Sequence, residues 1–122
     1  MLVLVTGTAG NLGKSVAKRL LAEGHRVRAF DLPTRKNQKA LEALGPGVEL
    51  ALGDVTRSED VERAVRGVDA IAHLAAILPP ASERNPGATR KVNVEGTRTL
   101  VLAAERLGGN VPFVLPSSCS VH

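Results

Sequence analysis

The chain has 122 residues, of which 43% are hydrophobic, 23% are charged and 2% are aromatic. This length predicts a single domain over residues 1–122 with its own packed core, and the composition excludes an intrinsically disordered chain. The net charge of +4 is spread over predicted helices and loops. Because single-stranded nucleic acids usually stack on aromatic side chains, which this chain almost lacks, we expect no nucleic-acid partner.

The single cysteine and the N-terminal residues indicate the compartment. Cys119 alone can form neither an internal disulfide nor a thiolate cluster for a metal, so a reducing compartment is the simplest fit and no metal site is expected. The sequence MLVLVTGTAG has no basic segment before its apolar run, which breaks at once into Thr and Gly. It predicts neither a signal peptide nor a membrane span, and we expect a cytoplasmic protein with no membrane partner.

Short apolar runs alternate with helical patterns along the chain. The runs that predict strands are residues 2–6, 26–30, 48–52, 69–76 and 111–115. The segments that predict helices are residues 12–21, 36–44, 56–65 and 92–107. Thr56 and Glu59 have the spacing of a capping box at the start of the third helix. Gly108 and Gly109 would end the fourth helix in a left-handed cap.

This order of elements predicts an α/β fold. Strands that alternate with helices form a doubly wound, Rossmann-like parallel sheet, here of five strands, with helices on both faces. Ligands of such sheets bind at the carboxyl ends of the strands. The proline-containing stretch at residues 78–87, which directly follows the fourth predicted strand, is therefore expected to lie near any ligand.

The loop after the first predicted strand, VTGTAGNLG, spaces its glycines as GxxGxxG. Gly7 would allow a tight turn, Gly10 would let backbone amides approach a pyrophosphate, and Gly13 would let the helix pack closely on the sheet. The helix beginning near Asn11 would point its free amides and positive dipole end at the phosphates. Taken alone, this glycine pattern fits an ordinary strand-to-helix turn equally well.

A carboxylate at the end of the second predicted strand supports the dinucleotide interpretation. Asp31, in RAFD, can accept hydrogen bonds from both hydroxyls of an adenosine ribose, and its charge repels a 2′-phosphate. We therefore expect NAD as the cofactor, with NADP disfavoured. Arg35 and Lys36 lie close by in sequence and would partly offset this preference.

Six short motifs together resemble a known family. They are TGTAGNLG, the second-strand Asp31, GDV at residues 53–55, HLAA at 73–76, NVEGT at 93–97 and PSSCSV near the end. In this order they are similar to the extended short-chain dehydrogenase/reductases, the group of NAD-dependent sugar epimerases and dehydratases. The resemblance implies later strands and a smaller substrate domain beyond His122, so we expect these residues to form an incomplete NAD-binding domain.

The resemblance also implies which residues contact the cofactor. They are Gly7, Ala9, Gly10, Asn11, Leu12, Gly13, Asp31, Asp54, Val55, Leu74, Ala75, Ala76 and Asn93. Asp54 and Val55 would contact the adenine, although Asp54 could simply end a strand before Thr56. The alanines would leave room for the cofactor or merely pack under a helix. His73 is structural in the family, and an Asn on a helix such as Asn93 is often only bonded to backbone.

The serine pair near the end would contribute to catalysis by the same resemblance. Ser118 matches the family serine whose hydroxyl bonds the substrate oxygen that gains or loses a proton; alternatively, Ser117 and Ser118 only end the strand. The family's general acid or base is a Tyr, with a Lys four residues later that lowers its pKa. The 122 residues contain no tyrosine, so they do not supply this group.

Two functions remain open from the sequence. The first is the NAD-binding part of an enzyme that oxidises a hydroxyl of a small-molecule substrate by hydride transfer. Nucleotide sugars are the default substrate of the family, and steroid and flavonoid-type alcohols also occur. The second is a non-enzymatic sensor or partner protein that binds a dinucleotide. Family members often dimerise through helices beside the sheet, so a homo-oligomer is a further expectation.

Overall fold

Parallel strands and helices alternate in the computed structural model, which describes residues 1–75, 87, 91–106 and 111–114. The strands are β1 (Leu2–Thr6), β2 (Arg26–Asp31), β3 (Val48–Leu52), β4 (Ala70–His73) and β5 (Phe113–Val114). The helices are α1 (Asn11–Ala22), α2 (Arg35–Glu42), α3 (Ser58–Val65) and α4 (Thr97–Glu105), the last preceded by a π-helical turn (Lys91–Gly96). Most of the predicted loop at 78–87, and the predicted cap at Gly108 and Gly109, lie outside the described residues.

The five strands of the described residues form one sheet in the order β3-β2-β1-β4-β5, and every neighbouring pair is parallel. β1 lies at its centre, where Thr6 is level with Phe30 of β2 and with His73 of β4. The chain therefore winds outward from β1 first to one side and then to the other. This arrangement confirms the doubly wound, Rossmann-like sheet expected from the sequence.

Each face of the sheet buries its own apolar cluster, because successive side chains of a strand point to opposite faces. On one face, Val3 and Val5 of β1 pack with Ala17 of α1 and Leu41 of α2. On the other face, the cluster joins β1, β2 and β4 to α3 and α4 through Leu4, Phe30, Ile71, Val61, Ala64, Val65, Leu100, Ala103 and Ala104. The small residues on these helices let them approach the sheet closely.

The start of α3 differs from the prediction. The helix begins at Ser58 after Arg57, and no side chain caps it. The Thr56 hydroxyl donates instead to Asp54 Oδ1 at 2.7 Å, and the Thr56 amide donates to the same oxygen at 2.8 Å. The predicted capping box is therefore wrong, because the helix begins two residues after Thr56 and its N-cap residue is Arg57.

The other end of α3 is held by an arginine from the sheet. Arg28 Nη1 donates to the carbonyl oxygens of Ala64 (2.6 Å) and Arg66 (2.5 Å), which belong to the last turn of α3 and its C-cap. Its Nε donates to Glu49 on β3. The Arg28 side chain is only 13% exposed, so these carbonyls have their hydrogen-bond donor inside the protein rather than in water.

We expect Arg28→Met to lower the free energy of unfolding by about 1–3 kcal/mol, because it leaves the carbonyls of Ala64 and Arg66 without this donor. Arg26→Met is the matched control. Arg26 also faces Glu49, at 3.9 Å, but its side chain is 69% exposed, so the expected change is below about 0.5 kcal/mol. Equilibrium denaturant unfolding measures both, and equal effects of the two substitutions would refute the capping role of Arg28.

Candidate cofactor site

The switch point of the sheet lies between β1 and β4. The chain leaves β1 toward β2 on one side, whereas β4 and β5 lie on the other side. At such a point the two loops that follow neighbouring strands diverge and leave a crevice at the carboxyl edge. The loop after β1 carries the glycine motif, and the residues after β4 are Leu74 and Ala75. The sequence-predicted cofactor residues of both loops therefore meet at this crevice.

Two of the three loop glycines are required by close backbone contacts. Gly7 has a φ of +71°, and a Cβ there would lie 2.8 Å from the Ala75 amide nitrogen. A Cβ on Gly13 would lie 2.1 Å from the carbonyl oxygen of Gly7. Any side chain at either position would push apart the loop, the start of α1 or the backbone after β4.

Gly10 is different, because its side-chain position faces open space. A Cβ built on it meets only the Gly7 carbonyl oxygen, at 3.4 Å, which is an ordinary contact. Gly10 is the N-cap of α1 and has no side chain to accept from the first amides of that helix. The amides of Asn11, Leu12 and Gly13 thus have no acceptor within the helix, and Asn11 and Leu12 are exposed. They form a positive helix end suited to an anion.

Asp31 lies beside the glycine loop at the end of β2. Its Oδ2 accepts from the Ala9 amide at 2.9 Å, and its Oδ1 accepts from the Leu32 amide at 2.8 Å and from Asn37 Nδ2 at 3.3 Å. These donors fix the carboxylate in one orientation. Because an ionised carboxylate has about four acceptor positions, Asp31 keeps acceptor capacity for a ligand hydroxyl.

Asp54 and Asp60 shape the loop that follows β3. Hydrogen bonds from the hydroxyl and then the amide of Thr56 lower the pKa of Asp54. The pKa of Asp60 is lowered chiefly by the backbone amide of Asp54, which donates to Asp60 Oδ2 at 3.0 Å. Val55 points into the core, where its Cγ1 would lie 2.8 Å from a Cβ on Gly96. The loop is therefore held by α3 below it and by the π-helical turn beside it.

His73, the last residue of β4, is buried at 3% exposure between two threonines. Its Nδ1 lies 2.6 Å from the Thr6 hydroxyl and its Nε2 lies 2.9 Å from the Thr97 hydroxyl. Burial lowers the pKa of His73 to about 4. The ring is therefore neutral near pH 7 and has both nitrogens engaged, which agrees with the structural role expected for it.

The structure brings most of the predicted cofactor residues to one edge of the sheet, but it does not describe all of them. Ala76 and the predicted catalytic Ser118 lie outside the described residues. Asn93 lies in the π-helical turn, where its carbonyl oxygen accepts from Thr97. The roles of all these residues toward a ligand stay predictions.

Sequence reasoning missed four polar residues that support the site. Thr6, Asn37, Asp60 and Thr97 all hold a predicted site residue or its neighbour in place. Asn37 could have been suspected from its position six residues after Asp31, in the first turn of a predicted helix. The others are recognisable only when distant parts of the chain are brought together.

No group of three or more His, Cys, Asp or Glu side chains in the described part of the chain could hold a metal ion. No helix among the same residues is both long and apolar enough to cross a membrane.

The described residues fit a dinucleotide. The uncovered amides at the start of α1 suit a pyrophosphate, and the open side of Gly10 leaves room for one. Asp31 is fixed close by with acceptor capacity for ribose hydroxyls. The amides favour the negatively charged phosphates, and the carboxylate of Asp31 favours hydroxyl donors. The phosphates and the ribose hydroxyls would therefore bind at different ends of the crevice.

Comparisons with known proteins agree with this geometry. The model of the NAD dependent epimerase/dehydratase family matches residues 3–122. A 3-beta-hydroxysteroid dehydrogenase of Mycolicibacterium neoaurum is 40% identical over 98% of this chain and 32% of its own length. The chain thus spans about a third of that relative.

Solved structures give the same result. UDP-glucose 4-epimerase of Thermus thermophilus, in complex with NAD, is 32% identical, with a TM-score of 0.78 over 88% of this chain and 35% of the epimerase. A UDP-glucose-4-epimerase of Stenotrophomonas maltophila with bound NAD is 26% identical, with a TM-score of 0.87. The match covers 99% of this chain and 38% of the epimerase. Together with the family match, these confirm the resemblance and, for the family, the NAD cofactor. The chain belongs to the NAD-dependent epimerase/dehydratase family.

Proposed function

We propose that this chain forms the NAD-binding part of an oxidoreductase, epimerase or dehydratase that acts on a hydroxyl group of a small-molecule substrate. The observation that carries the proposal is the open, side-chain-free start of α1 at Gly10, next to the fixed carboxylate of Asp31. A positive helix end beside a ribose-binding carboxylate is the recognition pattern of a dinucleotide.

The residues of the site have binding or orienting roles in this proposal. The amides of Asn11, Leu12 and Gly13 hold the pyrophosphate, and Asp31 accepts from the adenosine ribose. The loop at Asp54 and Val55 lies by the adenine. Leu74, Ala75, Ala76 and Asn93 are assigned to the remainder of the cofactor by the family resemblance. NAD, when bound, supplies the hydride acceptor.

The catalytic groups come in part from residues that the structure does not describe. By the family resemblance, the Ser118 hydroxyl would bond the substrate oxygen whose proton is lost as the alcohol is oxidised. The family's YxxxK motif does not occur in these 122 residues, since they contain no tyrosine. Binding of NAD is therefore proposed for this part of the protein, and proton transfer for a group outside it.

The substrate proposal has two classes that share one reaction step, the oxidation of a secondary alcohol. A nucleotide sugar is the default of the family, and the Stenotrophomonas structure also holds a formylated UDP-arabinopyranose. The 40% identity to a 3-beta-hydroxysteroid dehydrogenase favours a hydroxysteroid as the second class. We propose no nucleic-acid or membrane partner, a cytoplasmic location, and a second copy of the chain as the expected protein partner.

Gly10→Val tests the cofactor site. Its side chain fills the space proposed for the pyrophosphate, so we expect NAD to bind at least about tenfold more weakly, equivalent to about 1.4 kcal/mol. The fold should tolerate it, because a Cβ there makes only one contact, at 3.4 Å. Ser15→Val, on the exposed surface of α1 one turn further on, is the control and should leave NAD affinity unchanged. Isothermal titration measures both, and undiminished binding by the Gly10 variant would disprove the glycine-loop assignment.

Asp31→Ala tests the preference for NAD over NADP. Loss of the carboxylate removes both the acceptor for the ribose hydroxyls and the repulsion of a 2′-phosphate. We expect the ratio of the NADP and NAD dissociation constants to fall by about tenfold, or 1.4 kcal/mol. Because Asp31 also holds the Ala9 amide, both affinities can fall together for structural reasons. An unchanged ratio would therefore remove the assignment of Asp31 as the discriminating group.

Turnover by the full-length protein separates the two substrate classes. With NAD and a 3β-hydroxysteroid, a dehydrogenase accumulates NADH, which is followed by its absorbance. With a UDP-hexose, an epimerase returns the hydride, so we expect a sugar epimer by chromatography without net NADH. Product with one class identifies the substrate. NAD binding without product from either class would leave the non-enzymatic NAD-binding protein as the better description.

A further inference from the structure

A chain of hydrogen bonds joins three elements that are far apart in sequence. It runs from the backbone after β4 to the Thr6 hydroxyl of β1, on to the His73 ring, and then to the Thr97 hydroxyl and the Asn93 carbonyl oxygen. We call Thr6, His73, Asn93 and Thr97 the histidine relay. Thr6 and His73 are 67 positions apart, and His73 and Thr97 are 24 apart.

The direction of each hydrogen bond in the relay follows from its neighbours. Thr97 Oγ1 donates its proton to the Asn93 carbonyl oxygen at 2.9 Å, so it must accept from His73 Nε2. Thr6 Oγ1 accepts from the amides of Leu74 and Ala75, at 2.9 and 3.1 Å, so its own proton is available for His73 Nδ1. Only the neutral ring with its hydrogen on Nε2 satisfies both ends.

Both ends of the relay position backbone that borders the cofactor site. At one end, the Ala75 amide donates to the Thr6 hydroxyl. The same amide nitrogen would lie 2.8 Å from a Cβ on Gly7. At the other end, Thr97 closes the π-helical turn that contains Asn93, and Gly96 of that turn packs on Val55. π-helical turns are rare and occur frequently at functional sites. The relay thus borders the glycine loop and the backbone after β4 at one end, and at the other end the turn whose Gly96 packs on Val55.

We propose that His73 is a positioning residue, whose neutral Nε2–H tautomer holds the backbone at Ala75 and the π-helical turn at Asn93 in the arrangement that binds the cofactor. The proposal rests on the NAD-binding function above. His73 contacts no reacting atom and transfers no proton. Its effect passes through Thr6 to the amides of Leu74 and Ala75, and through Thr97 to the carbonyl oxygen of Asn93.

The burial of the ring keeps the relay in one state. A protonated ring would direct a second N–H at Thr6 Oγ1, which already accepts from two amides. Burial also lowers the pKa of His73 to about 4, so the ring stays neutral near pH 7. The threonine hydroxyls are thereby locked in one direction.

Two substitutions at Thr97 test the relay, because one removes the hydroxyl and the other keeps it. Thr97→Val keeps the shape but cannot accept from His73, and we expect NAD affinity to fall roughly threefold to tenfold, the loss of about one buried hydrogen bond. Thr97→Ser keeps the hydroxyl and should bind within about twofold of the original. Thr99→Val is the matched control, because Thr99 also donates to the carbonyl four residues earlier, at 2.9 Å, but has no link to His73. It should leave NAD affinity unchanged.

Two measurements show whether the loss passes through the ring. Imidazole ¹⁵N resonances should report the Nε2–H tautomer in the original protein and in both Thr97 variants, because the Thr6 hydroxyl still donates to Nδ1. The Nε2 resonance should shift only in Thr97→Val, where the Nε2–H has lost its acceptor. His73→Phe should weaken NAD binding, and adding Thr97→Val to it should weaken binding no further, because both remove the same link. If His73→Phe does not fold, the three Thr97 and Thr99 variants and the ring spectra decide alone.

The outcomes separate this proposal from the proposed function. If Thr97→Val binds NAD as tightly as the original, or if Thr97→Ser does not restore binding, the positioning role is wrong while NAD binding stands. The opposite ring tautomer would also overturn it. If the original full-length protein binds no NAD, the proposed function fails first and the relay loses its purpose.

Discussion

The close approach of three backbone segments at Gly7 is the constraint on which the crevice depends. The carbonyl oxygen of Gly7 lies where a Cβ on Gly13 would come within 2.1 Å, and the Ala75 amide lies 2.8 Å from the Cβ position of Gly7. Loop, helix α1 and the end of β4 therefore touch through main chain alone. Next to this contact, Gly10 leaves an open position at which a ligand can reach the first amides of the helix.

The polar groups around that opening are arranged by charge. Uncovered amides at the start of α1 favour an anion, whereas Asp31, fixed by the amides of Ala9 and Leu32, favours hydroxyl donors. Asp54 and Asp60 are bonded around the loop after β3. The hydroxyl and then the amide of Thr56 lower the pKa of Asp54, and the amide of Asp54 chiefly lowers the pKa of Asp60. These two carboxylates mainly shape the loop after β3, and Asp31 is the carboxylate directed toward the glycine loop.

The sequence predicted the layout of the fold better than its details. The bounds of β1 and β3 agree with their apolar runs. In β1 the run reflects burial, since four of its five residues are buried. β4 ends at His73 rather than at residue 76, because the amides of Leu74 and Ala75 turn to the Thr6 hydroxyl. The π-helical turn was missed for a related reason: over a single turn, apolar spacing does not distinguish it from the start of an α-helix.

The candidate site shows the same division between local and distant information. The glycine loop and Asp31 were predicted because each is recognisable from a short stretch of neighbouring residues. The partners of His73 were not, because Thr6 and Thr97 reach the ring only after the sheet has formed. Burying an imidazole without hydrogen-bond partners costs more free energy than its packing contributes. The buried His73 ring at the switch point therefore requires the hydroxyls of both Thr6 and Thr97. That mutual requirement ties β1, β4 and α4 together in a core that is otherwise mostly aliphatic.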